Sequence, residues 1–228
     1  MTEVKLISYS MVSKEMFDAD SSLRDLQGLV AYCARVSNPA NQMNSETSEK
    51  LIKYLIKHAH WSPLEMVNAC LQIDTTRDIA HQVVRHRSFA FQEFSQRYAN
   101  PEEMGEQFVI REARLQDTKN RQNSIALDLE DPAQAAIADR WVQEQQDVIW
   151  RAQQAYNWAI EAGIAKEQAR SVLPEGNTKT RLYMNGTLRS WIHYIDLRGA
   201  NGTQQEHMDI AHACAKVIAD IFPLMKGL

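Results

Sequence analysis

The segment that organises this chain runs from Gln82 to Tyr98 and reads QVVRHRSFAFQEFSQRY. It places three arginines and a histidine among four aromatic residues. A guanidinium binds phosphate oxygens in a planar fork and stacks on rings, so this mixture is typical of a site for an anionic, ring-containing ligand such as a nucleotide. An amphipathic segment with paired arginines and buried aromatics would have the same composition, so the segment alone leaves both interpretations open.

The whole chain has the composition of an ordinary soluble globular protein, and its 228 residues suffice for one substantial domain. We therefore predict a single domain over residues 1–228. The net charge of -4 provides no general basic excess, so we expect a small anionic ligand rather than a long nucleic acid. No apolar run approaches the length of a membrane span and the first residues do not resemble a signal peptide, so we expect a cytoplasmic protein without membrane contact.

The cysteines Cys33, Cys70 and Cys214 are odd in number, widely spaced and free of any CxxC pattern. This arrangement predicts neither disulfides nor a zinc site, and we expect no bound metal.

Helices and strands are predicted without regular alternation, and the chain contains neither GxGxxG nor a P-loop. These features favour an α+β fold over a doubly wound sheet. The predicted strands are Val4 to Ser10, Met66 to Thr75 and Thr180 to Asn185. The predicted helices begin at Ser21 or Ser22, at Ser45, at Thr75 or Thr76 (running to Arg87), at Asp131-Pro132, at Thr187 and after Asn201-Gly202.

Two of these regions bear on function. In the helix ending at Arg87, helical spacing predicts one polar side with Asp78, Gln82, Arg85 and His86. The helix that begins at Pro132 has more apolar surface than one contact face needs, which indicates partner subunits. Between them, residues 100–130 are polar and irregular, which predicts a mobile excursion in which only residues 108–110 resemble a strand.

Arg85-His86-Arg87 followed by seven residues and Ser95 resembles the RHRx7S signature of the flavin-dependent thymidylate synthases. The flanking Gln82, Glu93, Arg97 and Tyr98 also match that family's residue types. Four further blocks resemble the family in the same order and extend the resemblance over most of the chain: Ala34-Arg35-Val36-Ser37, His60-x-Ser62-Pro63-x-Glu65, Ala169-Arg170-x-x-Leu173-Pro174 and Arg189-x-x-x-His193-x-x-x-Leu197-Arg198.

The resemblance implies a homotetramer with an antiparallel sheet, several helices and a long helix, holding FAD across subunit interfaces. It implies synthesis of dTMP from dUMP, with methylenetetrahydrofolate as one-carbon donor and NADPH as reductant. In the family, reduced flavin delivers a hydride after the one-carbon unit has been transferred, and no cysteine attacks the uracil.

The resemblance also assigns site residues. Arg198 would be catalytic, lying against the uracil edge, where a guanidinium stabilises negative charge on the ring. The residues implied to bind dUMP are Gln82, Arg85, Glu93, Ser95, Gln96, Arg97, Arg170 and Arg198. The residues implied to bind FAD are Ser37, His60, Ser62, Arg85, His86, Arg87, Glu93, Thr187, Arg189 and His193. We interpret Ser95 as a binding hydroxyl, because no Ser-His-acid arrangement supports a nucleophile.

The chain departs from the family at Gln92 and Thr187, where Asn is common, and at Gly202, where His is common. These departures concern flavin contacts and leave the cationic groups in place. Two alternatives therefore stay open beside the main hypothesis. One is a related flavin-dependent pyrimidine nucleotide hydroxymethylase, and the other is a nucleotide-binding protein without turnover.

Overall fold

The computed structural model describes residues 3–19, 23 and 25–227 and confirms the α+β class. In chain order the strands are β1 (Glu3–Tyr9), β2 (Asn68–Thr76), β3 (Ala90–Glu93), β4 (Arg114–Gln116), β5 (Ser124–Ala126) and β6 (Lys179–Thr187). The helices are α1 (Lys14–Ala19), α2 (Leu26–Ala34), α3 (Ser48–Lys57), α4 (Arg77–Val83), α5 (Pro132–Glu161), α6 (Lys166–Ala169), α7 (Leu188–Arg198) and α8 (Gln205–Ile221). Short 3-10 turns occur at Pro39–Asn41, Ser62–Glu65, Pro101–Met104, Arg170–Val172 and Pro223–Gly227.

The main sheet has the strand order β1-β2-β6-β3, with every neighbouring pair antiparallel. Because side chains alternate across a strand, Leu71, Ile73 and Met184 point to one face and are fully buried. Helices α2, α3, α4, α7 and α8 cover that face with apolar side chains. On the opposite face Arg181 forms a bidentate ion pair with Asp74, at 2.7 and 2.6 Å.

Several predicted helix boundaries depend on capping groups. Asp131 accepts a hydrogen bond from the backbone N–H of Ala133 at 2.9 Å, and Pro132 occupies the first position of α5, as the sequence predicts. For α2 the cap is Asp25, which accepts from the backbone N–H of Gly28 at 2.7 Å. The predicted caps Ser21 and Ser22 lie outside the described residues.

The prediction that α4 continues to Arg87 is wrong, because the helix ends at Val83. After the helix, the backbone hydrogen bonds join residues three apart, as in a 3-10 helix, and the N–H of His86 donates to the carbonyl of Val83 at 3.1 Å. The chain then turns so that the Phe89 ring can enter the core, edge-on to Trp191 at 4.8 Å. Burial of this aromatic ring therefore overrides the helical pattern of the preceding residues.

The segment predicted to be irregular between 100 and 130 contains more structure than its sequence indicates. Strands β4 and β5 form a hairpin with Arg114 opposite Ala126, and Phe108 makes a β-bridge with Thr178. Asp117 accepts the backbone N–H of Lys119 at 2.7 Å and so closes the hairpin turn. Strands of three residues are too short to produce a readable alternation, which is why the sequence did not predict them.

Helix α5 exposes apolar side chains on more than one side, as its sequence predicts. Its C-terminal half contributes Tyr156 and Ala159 to a second small core with Ala169 and Leu173. Large apolar side chains elsewhere on the helix stay exposed in the single chain, namely Ile137, Trp141, Val142, Val148, Trp150 and Trp158. Within the described residues, no helix combines the length and apolar character needed to cross a membrane.

Ala59 terminates α3 in a conformation that favours glycine. Its φ is 55°, and the N–H of His60 donates to the carbonyl of Leu55 at 2.8 Å, which is a Schellman-type helix end. A Cβ in the left-handed region is strained, so we expect Ala59→Gly to raise the free energy of unfolding by about 0.5–1 kcal/mol. Thermal unfolding would show this as a rise of about 1–4 °C in the melting temperature.

Ala162 provides the matched control for that substitution. It ends α5 with φ -74° and ψ -1°, where a Cβ is unstrained. Ala162→Gly should therefore lower stability by about 0.5–1 kcal/mol, because glycine adds freedom to the unfolded chain. A loss of stability in both variants would contradict the assigned strain at Ala59.

Candidate functional site

The predicted catalytic residue Arg198 lies at the end of α7 and contacts His86 of the RHR motif. Its Nε donates to Nε2 of His86 at 2.9 Å. Burial and the positive charge of Arg198 lower the pKa of His86, so the imidazole is a neutral acceptor. The structure thus brings together two residues that are 112 positions apart in sequence. Among the described residues, no carboxylate neutralises the charge of Arg198.

Beneath this pair lies a polar network that sequence reasoning missed. The ring of Tyr194 packs edge-on against His86 at 4.9 Å, and its hydroxyl lies 3.1 Å from Nε2 of His207. Nδ1 of His207 lies 3.3 Å from the side-chain oxygen of Gln82, whose amide donates to Gln204 at 2.8 Å. The available sequence signal was the position of His207, which shares the buried side of α8 with Ile210 and Cys214.

The residues predicted to lie near the nucleotide phosphate form a separate group beside α6. The Ser95 hydroxyl accepts the backbone N–H of Arg97 at 3.4 Å, and the Arg97 guanidinium lies 3.8 Å from Glu167. Gln96 is buried and its side-chain nitrogen has no partner among the described residues. No described contact joins this group or Arg170 to Arg198. A single chain therefore holds two groups of predicted nucleotide ligands that do not touch.

Glu93 is fixed at the sheet rather than in either group. Its carboxylate accepts from the Thr180 hydroxyl at 2.9 Å and pairs with Arg77 at 3.3 Å. These contacts hold the carboxylate at the end of β3.

The predicted flavin residues on α7 face the turn Ser62–Glu65. The rings of His193 and Trp61 lie 4.3 Å apart, and Arg189 forms an ion pair with Glu65. His60 precedes this turn, is exposed and lies 6.2 Å from the ring of Tyr54. This region thus presents aromatic surfaces on which a flavin ring can stack, whereas the guanidinium of Arg189 is paired with Glu65.

Two arginines of the RHR motif are available for a ligand. Arg85 and Arg87 are exposed, and neither guanidinium has a partner among the described residues. Arg35 instead has a structural role, because it is buried and donates to the Thr47 hydroxyl at 2.8 Å and to the backbone carbonyl of Asn44. Ser37 lies exposed in the turn that follows it.

The three departures from the family have distinct surroundings. Gln92 is exposed on β3 opposite Tyr183. Thr187 caps α7, where its hydroxyl accepts the backbone N–H of Ser190 at 3.2 Å. Gly202 has a φ of 95°, a conformation that a histidine would adopt only with strain. The departures at Thr187 and Gly202 are therefore explained by the local structure, because Thr187 caps a helix and Gly202 adopts a positive φ.

The three cysteines are free and none is suited to nucleophilic attack. Burial raises the pKa of the thiols of Cys33, Cys70 and Cys214, which disfavours the reactive thiolate. This agrees with a reaction in which no cysteine attacks the substrate.

A cavity of about 490 Å³ lies between the main sheet and residues 106–114, and none of the predicted site residues lines it. Its cations are already paired: Arg111 lies 2.6 Å from Asp78, and Arg181 lies 2.6 Å from Asp74. Because these charges are neutralised within the chain, the cavity is a poorer anion site than the unpaired arginines of the RHR motif.

Comparison with known proteins gives consistent matches. Residues 21–224 match the family model described as thymidylate synthase complementing protein. The chain is 48% identical over 219 residues to a protein of Paramecium bursaria Chlorella virus 1 named a probable flavin-dependent thymidylate synthase, which covers 96% of this chain and 94% of that protein. It is also 48% identical over 198 residues, or 86% of each chain, to a protein of Synechocystis named flavin-dependent thymidylate synthase.

Among solved structures, the chain resembles the UMP/dUMP methylase PolB from Streptomyces cacaoi, which was crystallised with 5-Br dUMP. The TM-score is 0.78, and the match covers 99% of this chain and 93% of that one. At 22% sequence identity, this likeness concerns the fold.

Proposed function

Because this chain belongs to the family of thymidylate synthase complementing proteins, the flavin-dependent thymidylate synthases, we propose that it converts dUMP to dTMP. The proposed cofactor is FAD, the one-carbon donor is methylenetetrahydrofolate and the reductant is NADPH. The free cysteines support the cytoplasm as the compartment.

The contact between Arg198 and His86 is the observation that carries this proposal. An arginine paired with a carboxylate has little charge left for a ligand, as with Arg181 and Asp74. Arg198 instead contacts a neutral imidazole, which orients the guanidinium through Nε and leaves its charge available. That charge would stabilise the electron density that accumulates on the uracil when its carbon becomes nucleophilic.

The residues around α7 fit a flavin. His60, Ser62, Arg189 and His193 would hold it, with the Trp61 and His193 rings as a stacking surface. The exposed guanidiniums of Arg85 and Arg87 would bind its pyrophosphate, since neither is paired among the described residues. When bound and reduced by NADPH, the flavin would supply the hydride that completes the methyl group.

A homotetramer would explain why the nucleotide ligands form two groups in one chain. Gln82 lies on α4 and Arg198 on α7, whereas Ser95, Arg97 and Arg170, which has no side-chain partner among the described residues, lie beside α6. If subunits share the site, each complete site would combine one group from each of two chains. The exposed apolar side chains of α5 support such an assembly, because surfaces of this kind mark subunit contacts.

We predict that Ser95→Ala weakens dUMP binding about tenfold without abolishing turnover at saturating dUMP. The hydroxyl contacts no described histidine or carboxylate that could activate it, which supports a role as a donor to the phosphate rather than as a nucleophile. Steady-state kinetics should show a raised KM for dUMP and a nearly unchanged kcat. Ser124→Ala, at an exposed position on β5, is the control. Complete loss of turnover with flavin still bound would contradict a binding role.

The cofactor can be tested by absorbance of the purified protein. We expect a flavin spectrum as isolated or after incubation with FAD, and a change in that spectrum when dUMP is added. A protein that stays colourless after incubation with FAD would exclude both flavin-dependent hypotheses and favour a nucleotide-binding protein without turnover.

A further inference from the structure

A continuous chain of hydrogen bonds connects the start of α8 with the residues beneath Arg198. The amide nitrogen of Gln204 donates to Glu206 at 2.9 Å, and the amide nitrogen of Gln82 donates to Gln204 at 2.8 Å. The side-chain oxygen of Gln82 lies 3.3 Å from Nδ1 of His207, whose Nε2 lies 3.1 Å from the hydroxyl of Tyr194. Of these five residues, the resemblance to the family assigns a role only to Gln82; it assigns none to Gln204, Glu206, His207 or Tyr194.

The carboxylate of Glu206 sets the direction of every hydrogen bond in this chain. Burial raises the pKa of Glu206, but hydrogen bonds from a backbone N–H, Arg114 and Gln204 outweigh that effect and lower it, so the group is ionised. An ionised carboxylate only accepts, so Gln204 must direct its nitrogen to Glu206 and its oxygen to Gln82. Gln82 then donates through its nitrogen and accepts through its oxygen.

The same direction continues through the imidazole. Because the oxygen of Gln82 is an acceptor, His207 must carry its proton on Nδ1 and accept the Tyr194 hydroxyl proton at Nε2. Burial, the positive charge of Arg198 and the neighbouring His86 lower the pKa of His207 to about 4, which agrees with this neutral form. His207 is fully buried, so water does not compete for either nitrogen.

We propose that His207 is a positioning residue that, together with the side-chain oxygen of Gln204, holds the carboxamide of Gln82 in one orientation, so that the remaining N–H of Gln82 is presented to an acceptor oxygen of the nucleotide. This inference rests on the proposed function, because it takes dUMP as the ligand of Gln82. Tyr194 belongs to the same network, since its hydroxyl donates to Nε2 of His207 and fixes the imidazole on the side opposite Gln82. Without the N–H of His207 the carboxamide of Gln82 would be held by Gln204 alone and could swing away from the position that presents this N–H to the acceptor.

A buried histidine can also be purely structural, and two substitutions separate the interpretations. His207→Asn places an amide close to the position of Nδ1 and can keep the donor to Gln82. His207→Gln places its amide near Nε2 and can keep only the contact with Tyr194. If His207 positions Gln82, dUMP affinity should fall about tenfold in the Gln variant and stay within about twofold in the Asn variant. A structural role predicts no such difference.

The experiment is a calorimetric titration of the full-length, flavin-loaded protein with dUMP, accompanied by flavin content and melting temperature. His212→Gln, an exposed histidine on the same helix, is the control and should bind like the wild type. Equal affinities in the Asn and Gln variants, whether both normal or both weakened, would overturn the positioning role. Failure of the wild type itself to bind dUMP would instead overturn the proposed function.

Discussion

Arg198→Ala is expected to retain flavin and lose product formation, with kcat falling by about 10²–10³-fold. Removing one preorganised group that stabilises developing charge costs about 2.7–4 kcal/mol of transition-state stabilisation. Arg198 is held by a neutral imidazole at 2.9 Å rather than by a carboxylate, so its positive charge is available to the substrate. The substitution removes that charge, and the neutral His86 cannot replace it. Anaerobic single-turnover measurement of dTMP from dUMP is the direct assay.

Two further variants make this result interpretable. Arg198→Lys keeps a positive charge but loses the planar fork and the Nε–H that donates to His86, so an intermediate rate is expected. Arg121→Ala changes an exposed arginine in the turn between β4 and β5 and should have wild-type kinetics. A near-normal rate in Arg198→Ala would show that the guanidinium does not act at the uracil edge.

Gly186→Ala is expected to destabilise the protein by about 1–3 kcal/mol and to impair the RHR motif at the same time. A Cβ at this position on β6 would lie 2.4 Å from Cδ1 of Phe89, which is far inside van der Waals contact. Phe89 has little room to move, because its ring packs edge-on against Trp191 at 4.8 Å. Overpacking of this kind forces side chains off their rotamers. Since Phe89 follows Arg87 by two residues, its displacement should also move the motif.

A double variant tests whether the clash is the cause. Phe89→Leu alone should cost stability, because it removes ring contacts with Trp191 and Tyr194. In the presence of Gly186→Ala the same change should cost less, since the smaller side chain makes room for the new methyl group. Strictly additive losses in melting temperature would contradict this explanation.

Local patterns in the sequence predicted the elements that depend on local chemistry. The beginning of α5 follows from Asp131-Pro132, because a capping carboxylate and a proline at the first helical position act within one turn. The three longer strands of the sheet, β1, β2 and β6, follow from alternating or apolar runs. The resemblance to a known family located the motifs of the site.

The remaining features depend on contacts between distant parts of the chain. The end of α4 at Val83 reflects the burial of Phe89 against Trp191, which lies on α7. Gln82 was predicted on a polar face, but its partner His207 is 125 residues away, and no local pattern pairs them. The hairpin of β4 and β5 was missed because each strand has three residues.

The most direct test of the central claim is the mass of the product formed from dUMP by the purified protein with FAD, NADPH and methylenetetrahydrofolate. We expect a nucleotide heavier than dUMP by one methylene unit, which is dTMP, and no product when NADPH or methylenetetrahydrofolate is left out. A product carrying a hydroxymethyl group would identify the related hydroxymethylase instead. Unchanged dUMP from flavin-loaded protein would contradict the proposed function.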